Sequence, residues 1–179
     1  FLEDGTNSLS LSYTPWLNKL VNDINLAYVS YVFKIAENQG MGFALRYFSL
    51  GTINFRDEGN NNLGDFQPYE FTLNGAYALK LNEQMSLAVG LRYIYSNLTA
   101  GVTVAGAETK AGQSFAADLG YYYKSRETNL EGGMKQSVSA GINISNVGAK
   151  ISYGNDADAD FIPTNLRVGG GYHLKFDEY

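Results

Sequence analysis

The sequence predicts an all-β fold and, within that class, an antiparallel transmembrane β-barrel of the outer-membrane type. Three observations carry the prediction. Eight segments alternate apolar and polar residues with period two. Long and short connections alternate between them. Aromatic residues gather toward the segment ends. Strand side chains point to opposite faces in turn, so each segment has two faces of different chemistry. Here one face is apolar and ends in aromatics, while the other is mostly small or polar. That suits a wall with lipid outside and a polar lumen inside.

The clearest segment is 85–97, MSLAVGLRYIYSN. Leu87, Val89, Leu91, Tyr93 and Tyr95 share one face; Ser86, Ala88, Gly90, Arg92, Ile94 and Ser96 share the other. Segment 41–51 repeats the grammar, with Met41, Phe43, Leu45 and Tyr47 opposite Gly42, Ala44, Arg46 and Phe48. Leu45-Arg46-Tyr47 and Leu91-Arg92-Tyr93 form a repeated local pattern, the unit of a hairpin repeated along the chain.

Taken in order, Leu9, Leu11 and Tyr13 alternate with serines in a first strand. Pro15 stops that ladder, having no N–H to donate. Connection 15–23 has room for a short helical turn. The second strand is 24–33, the third 41–50, with a polar turn between them. Loop 51–68 is rich in glycine and asparagine and is flanked by Phe55 and Phe66. The fourth strand, 69–79, points Tyr69, Phe71, Leu73 and Tyr77 outward and Glu70, Thr72 and Asn74 inward. Strand five is 86–96. In loop 97–112, Val102-Thr103-Val104 could extend the hairpin. Strand six, 113–123, points Asp118 inward. A polar turn at 124–135 leads to strand seven, 136–146. Loop 147–163 leads to strand eight, 164–176, with Arg167, His173 and Lys175 inward.

Outer-membrane barrels have long outer loops and short periplasmic turns. Connections 15–23, 51–68, 97–112 and 147–163 therefore lie outside. Tyr13, Trp16, Tyr47, Tyr69, Tyr93 and Tyr95 then fall near the outer interface, and Tyr77, Tyr121, Tyr123 and Tyr172 near the inner one. Two aromatic girdles are what a membrane-crossing barrel requires. A soluble sandwich or lipocalin-like barrel is the alternative reading of the same alternation.

Composition agrees. The 179 residues carry 14 tyrosines, 10 phenylalanines and 20 glycines with only 3 prolines, which favours strands and interfacial rings. Net charge is −5 and there is no basic run, so nothing favours a nucleic-acid partner. There is no cysteine, which excludes disulfides and thiolate metal sites. No apolar run reaches about eighteen residues, so a transmembrane helix is not expected. No signal peptide opens the chain, and a membrane barrel is exported behind one. Residues 1–179 are therefore read as a single barrel segment, truncated at both ends.

The ordered segments Ser12-Tyr13-Thr14-Pro15-Trp16-Leu17, Leu45-Arg46-Tyr47-Phe48-Ser49-Leu50-Gly51, Pro68-Tyr69-Glu70-Phe71, Leu91-Arg92-Tyr93, Ile144-Ser145-Asn146-Val147-Gly148 and Phe161-Ile162-Pro163-Thr164-Asn165-Leu166-Arg167 form a set. That set resembles the PorV family of the type IX secretion system, itself related to FadL-type barrels. The resemblance runs over nearly the whole chain. It implies a fourteen-stranded outer-membrane barrel, of which this chain supplies about eight strands. It further implies a non-enzymatic shuttle that binds the C-terminal signal domain of secreted cargo. Its implied partners are the SprA (Sov) translocon, the PorU sortase and outer-membrane lipid. A FadL-like channel for hydrophobic small molecules is the alternative.

No catalytic constellation and no cofactor motif stands out. His173 is the single histidine, and no G-x-S-x-G marks a nucleophile. The run from Asn155 to Asp160 invites calcium, but counting from Asp156 the sixth and twelfth positions are Phe161 and Arg167, not glycine and glutamate. It reads as a solvated acidic loop, and no metal site is expected. Arg46, Glu70, Arg92 and Asp118 point into the lumen. They either steer a solute or form ion pairs, and the cost of unpaired charge in a narrow lumen favours the pairs Arg92–Asp118 and Arg46–Glu70. Trp16, Phe55, Phe66 and Phe161 in the outer connections are the candidate partner-binding residues. Large aromatics are common interface anchors, but these rings could equally anchor the wall at the lipid surface.

Overall fold

The computed structural model describes residues 7–16, 23–56, 59–98, 109–130, 133–154 and 159–176. Eight long strands form one antiparallel sheet in chain order. They are β1 (Asn7–Pro15), β2 (Ile24–Ala36), β3 (Gln39–Leu50), β4 (Tyr69–Lys80), β5 (Met85–Asn97), β6 (Gly112–Lys124), β7 (Lys135–Gly148) and β8 (Asn165–Lys175). The sheet is strongly curled into a half-barrel, consistent with the wall of a β-barrel. Among the described residues no helix is long and apolar enough to cross a membrane, so any crossing falls to the strands.

Burial is inverted relative to a soluble domain. Leu91 is 72% exposed and Val168 75%, and Leu11, Phe43, Val89, Leu119 and Tyr172 are exposed with them. Among the described residues the buried side chains, Pro68 apart, are small or polar: Ser96, Ser114, Ser137, Ser145 and Ala116. Soluble monomers rarely expose an apolar surface that runs across a whole sheet. Water on this face would be costly; lipid is the solvent that fits it.

Register fixes the aromatic girdle. Tyr47 opposes Phe71, which opposes Tyr95. Their rings join neighbours into one stack across β3 to β6: Tyr47 on Tyr69 at 5.9 Å, Tyr69 on Tyr95 at 5.9 Å, Phe71 on Tyr95 at 5.0 Å and Tyr93 on Phe115 at 5.1 Å. All lie at the end of the sheet that carries the long loops. Tyr31, Phe33 and Phe43 stack nearer the turn end.

Three expectations for the connections are corrected. Loop 51–68 contains a hairpin, Ile53–Arg56 paired with Asn62–Phe66. Loop 147–163 contains the pair Lys150–Ile151 and Asp160–Phe161. Turn 124–135 adds Thr128–Asn129 to β7. Pro15 does not end the β1–β2 pairing abruptly. It opposes Asn25, and the next residue, Trp16, still donates its N–H to the Ile24 carbonyl at 2.9 Å. The expected helical turn in 15–23, the extension at 102–104 and the acidic run from Asn155 to Asp158 lie outside the described residues.

Candidate functional site

The lumenal face carries a polar network that spans four strands. Arg92 on β5 lies directly opposite Asn74 on β4 and donates to its Oδ1 at 2.6 Å. On its other side, Arg92 Nη2 reaches Asp118 Oδ2 on β6 at 2.8 Å. A third guanidinium bond goes to Asn146 Oδ1 on β7. Arginine suits this position because its planar fork offers several donors at fixed angles.

The Asn146 position depends on a β-bulge. Ile144 opposes Leu119 and Val147 opposes Ala117, so β7 carries one extra residue there. Asn146 absorbs it in the left-handed region at φ 61°, which asparagine tolerates better than most residues. A bulge disrupts the ladder, and the Asn146 N–H donates instead to Asp118 Oδ1 at 2.8 Å. Asn146 also ties down the chain entering β8. Its amide donates to the Pro163 carbonyl at 3.2 Å, and the Thr164 hydroxyl donates to the Asn146 carbonyl at 3.3 Å.

Arg46 and Glu70 are not brought together, which corrects the expected second pair. Arg46 opposes Tyr28 on one side and Thr72 on the other, while Glu70 opposes Phe48 and Ser96. Each takes a directly opposed partner. The Arg46 guanidinium lies 6.0 Å from the Tyr28 ring centre, and the Ser96 hydroxyl donates to Glu70. His173 bonds Ser139 Oγ through Nε2 at 2.9 Å, and Arg167 donates to Asn165 Oδ1 at 3.0 Å.

Above this network, at the loop end, segment 149–154 folds back against the inner face of β5 and β6. The Tyr153 hydroxyl donates to Ser96 Oγ at 2.9 Å, and Ser96 is only 1% exposed. The Ser114 hydroxyl donates to the Ala149 carbonyl at 2.7 Å. A side chain at Gly112 would place its Cβ 2.8 Å from the Tyr153 ring, so glycine is what lets this segment settle on β6. Sequence reasoning put Asn74 and Ser96 on the inner face without giving them a partner, and it missed Tyr153 and Asn146 as part of the site. The one local signal was an asparagine beside Val147-Gly148 at the end of a strand.

The four aromatic candidates lie at separate places. Trp16 is exposed beside the edge strand β1. Phe161 is 72% exposed near the opposite edge, with the Lys150 ammonium 4.8 Å from its ring centre. Phe66 is half-buried in the 53–66 hairpin, where it opposes Ile53; Phe55 lies on the other strand of that hairpin, with its backbone opposite Gly64. The hairpin base is pinned to the wall. The Leu50 N–H donates to the buried Pro68 carbonyl at 3.0 Å, and Thr52 N–H donates to Asp23 Oδ2 at 2.6 Å. Hydrogen bonds to Thr52, its side chain first and its backbone second, hold the Asp23 carboxyl below its ordinary value. Among the described residues no group of three or more histidines and carboxylates is placed to hold a metal.

An apolar outer face, an aromatic girdle and a charged, hydrogen-bonded inner face define the wall of a membrane β-barrel. A family model described as type IX secretion system protein PorV matches residues 2–179. The chain belongs to the PorV family and is a component of the type IX secretion system. Its half-barrel sheet is compatible with the outer-membrane location of that family. A comparison with curated proteins finds no match.

Proposed function

We propose that this protein is a non-enzymatic outer-membrane shuttle. It binds the C-terminal signal domain of secreted cargo and passes it from the translocon to the attachment complex. SprA and PorU are the partners this reading assigns, and outer-membrane lipid is the partner of the apolar face. The observation that carries the reading is the hairpin Ile53–Arg56 and Asn62–Phe66, which forms its own two-stranded sheet apart from the wall. Its strands bear Phe55 and Phe66 among polar residues, and loops held by a rigid scaffold are where binding residues concentrate. The wall, on this reading, holds the loops in place and does no chemistry.

The experiment is to remove residues 53–66 from the whole protein and confirm insertion by heat-modifiable electrophoretic mobility. Capture of a cargo C-terminal domain and surface display of cargo are then measured, with uptake of a fatty acid alongside. Loss of capture and display with insertion intact is expected. Normal capture and display would remove the hairpin from the mechanism. Fatty-acid uptake that depends on the protein, without cargo capture, would favour the channel reading.

A further inference from the structure

Two rows of side chains cross the apolar face side by side. Register places Leu45 of β3, Leu73 of β4 and Tyr93 of β5 in one row, and Phe43, Gly75 and Leu91 in the next. A groove of about 600 Å³ runs between them, from Val29 of β2 to Phe115 of β6. Four interstrand spacings of about 4.8 Å make it about 19 Å long. With strands tilted about 40° it descends about 12 Å, close to the roughly 15 Å of hydrocarbon in one leaflet.

Gly75 is the floor of the groove. Phe43 and Leu91, directly opposed to it on either side, are 50% and 72% exposed. Glycine weakens a strand interior, so its presence here asks for a reason. Backbone conformation supplies none, since Gly75 lies outside the left-handed region. Crowding supplies none either. A Cβ at this position would meet only the Phe43 ring, at 3.7 Å, an ordinary contact. What a side chain would remove is the depth of the groove.

The groove offers a ligand no charge. No lysine, arginine, aspartate or glutamate within β1–β8 falls on the apolar face. The Tyr93 hydroxyl donates to Gln113, and Asn74 and Arg92, which border the floor, bond each other on the lumenal side. The occupant that fits is hydrocarbon. Lipid tails are as apolar as leucine, so the hydrophobic effect favours no part of this face over another; packing does. A chain lying on a convex wall touches protein on one side. A chain in a groove touches the floor and both flanks, and gains the added dispersion contacts.

We propose that this groove is a site for one acyl chain of an outer-membrane lipid, held over Gly75 in preference to the rest of the apolar face. The site rests on the lipid-facing assignment of that face and gives the lipid one defined position on it.

The test uses the whole protein in phosphatidylethanolamine vesicles that contain a small fraction of the same lipid bearing a diazirine on one palmitoyl chain. After irradiation, mass spectrometry locates the adducts. Per unit of exposed surface, labelling at Phe43, Leu73 and Leu91 should exceed that at Leu119 and Ile142, exposed on the same face outside the groove, about threefold or more. Gly75→Leu fills the floor and should abolish the excess, and Gly75→Ala should reduce it, with labelling at Leu119 unchanged in both. Heat-modifiable mobility confirms insertion; should Gly75→Leu fail to insert, the unaltered protein and Gly75→Ala decide. Even labelling across the apolar face, or an excess that survives filling of the floor, overturns the acyl-chain site and leaves the lipid-facing assignment standing. Absence of labelling over the whole face overturns both. An excess in vesicles that vanishes when the same probe is added to isolated outer membranes means that another protein covers the groove, and overturns it as a lipid site.

Discussion

Asp118 sits diagonally across from Arg92 and divides its two oxygens between side chain and backbone. Oδ2 meets Arg92 Nη2 at 2.8 Å, while Oδ1 accepts the Asn146 N–H at 2.8 Å. One carboxylate thus neutralises a charge on β5 and satisfies the β7 amide at the bulge. The two side chains keep 28% and 23% of their exposure, so the pair is only partly withdrawn from water.

This dual use separates two substitutions. Asp118→Asn keeps one oxygen for the Asn146 amide but loses the charge. Asp118→Ala loses both and leaves Arg92 without its counter-ion. We expect Asp118→Ala to destabilise the folded wall by about 2–4 kcal/mol, and Asp118→Asn by about 1–2 kcal/mol. Urea unfolding in lipid vesicles, followed by tyrosine and tryptophan fluorescence, measures both. Equal losses would mean that the amide bond contributes nothing.

Leu91 and Ser86 test the sidedness of β5. Leu91 is the most exposed of the strand's large apolar side chains, and Ser86 lies on the lumenal face near the turn end. Leu91→Arg should cost about 2–4 kcal/mol, the expectation for a charge near the bilayer midplane. Ser86→Arg should cost much less, because it stays on the lumenal side, away from lipid. Equal tolerance in the same vesicle assay would contradict the lipid assignment of the outer face.

Asp23 and Gly51 set the anchorage of the 53–66 hairpin. Gly51 adopts φ 82°, and a Cβ there would lie 2.7 Å from Asp23 Oδ1. Gly51→Ala should therefore loosen the hairpin by about 1–3 kcal/mol through left-handed strain, before the clash is counted. The pH dependence follows from the lowered Asp23 pKa, caused first by its side-chain bond to Thr52. A depressed carboxylate stabilises the fold above its ordinary value of about 3.8 and loses that contribution as pH falls below it. Hydrogen exchange at the Thr52 amide should be protected at pH 7 and should lose protection, after correction for intrinsic rates, only as pH falls below that ordinary value.

Tyr153 guards Ser96. A cysteine placed by Ser96→Cys should react slowly with a membrane-impermeant maleimide added from the loop side. Tyr153→Ala in the same background should raise the labelling rate about tenfold or more, as expected when a buried site is opened locally. Unchanged labelling would mean that Tyr153 does not shield Ser96.

Period-two alternation locates all eight wall strands to within a few residues. Strand 86–96 becomes Met85–Asn97, and 41–50 becomes Gln39–Leu50. The pattern is legible because a single exchange of faces would put charge into lipid, so every residue repeats the same message. The 53–66 hairpin carries no such message. Its strands are short, and its pairing is supported by local bonds such as Arg56 to Asn60 Oδ1 at 3.1 Å. The site was half legible for a related reason. Alternation shows that Arg46, Glu70, Arg92 and Asp118 share a face, but partners depend on register. Both expected pairs turn out to be diagonals, offset toward the turn end for Arg92–Asp118 and toward the loop end for Arg46–Glu70. A twisted sheet does not treat the two directions alike. The bulge at Asn146 was invisible because one inserted residue leaves the alternation before it intact.

Every lysine, arginine, aspartate and glutamate within β1–β8 alternates onto the lumenal side, with a consequence for how the wall is assembled. A strand that pairs one residue out of register turns its whole lumenal row toward lipid. For β5 that would carry Arg92 into the bilayer at about 2–4 kcal/mol, and the tyrosines of the opposite row would leave the girdle in the same move. Arg46 of β3 meets a similar penalty, whereas Lys80, Lys124, Lys135 and Lys175 stand at strand ends, where the cost falls to about 0–1 kcal/mol. The arginines thus weigh against wrong alignments during insertion, before the loops have anything to bind.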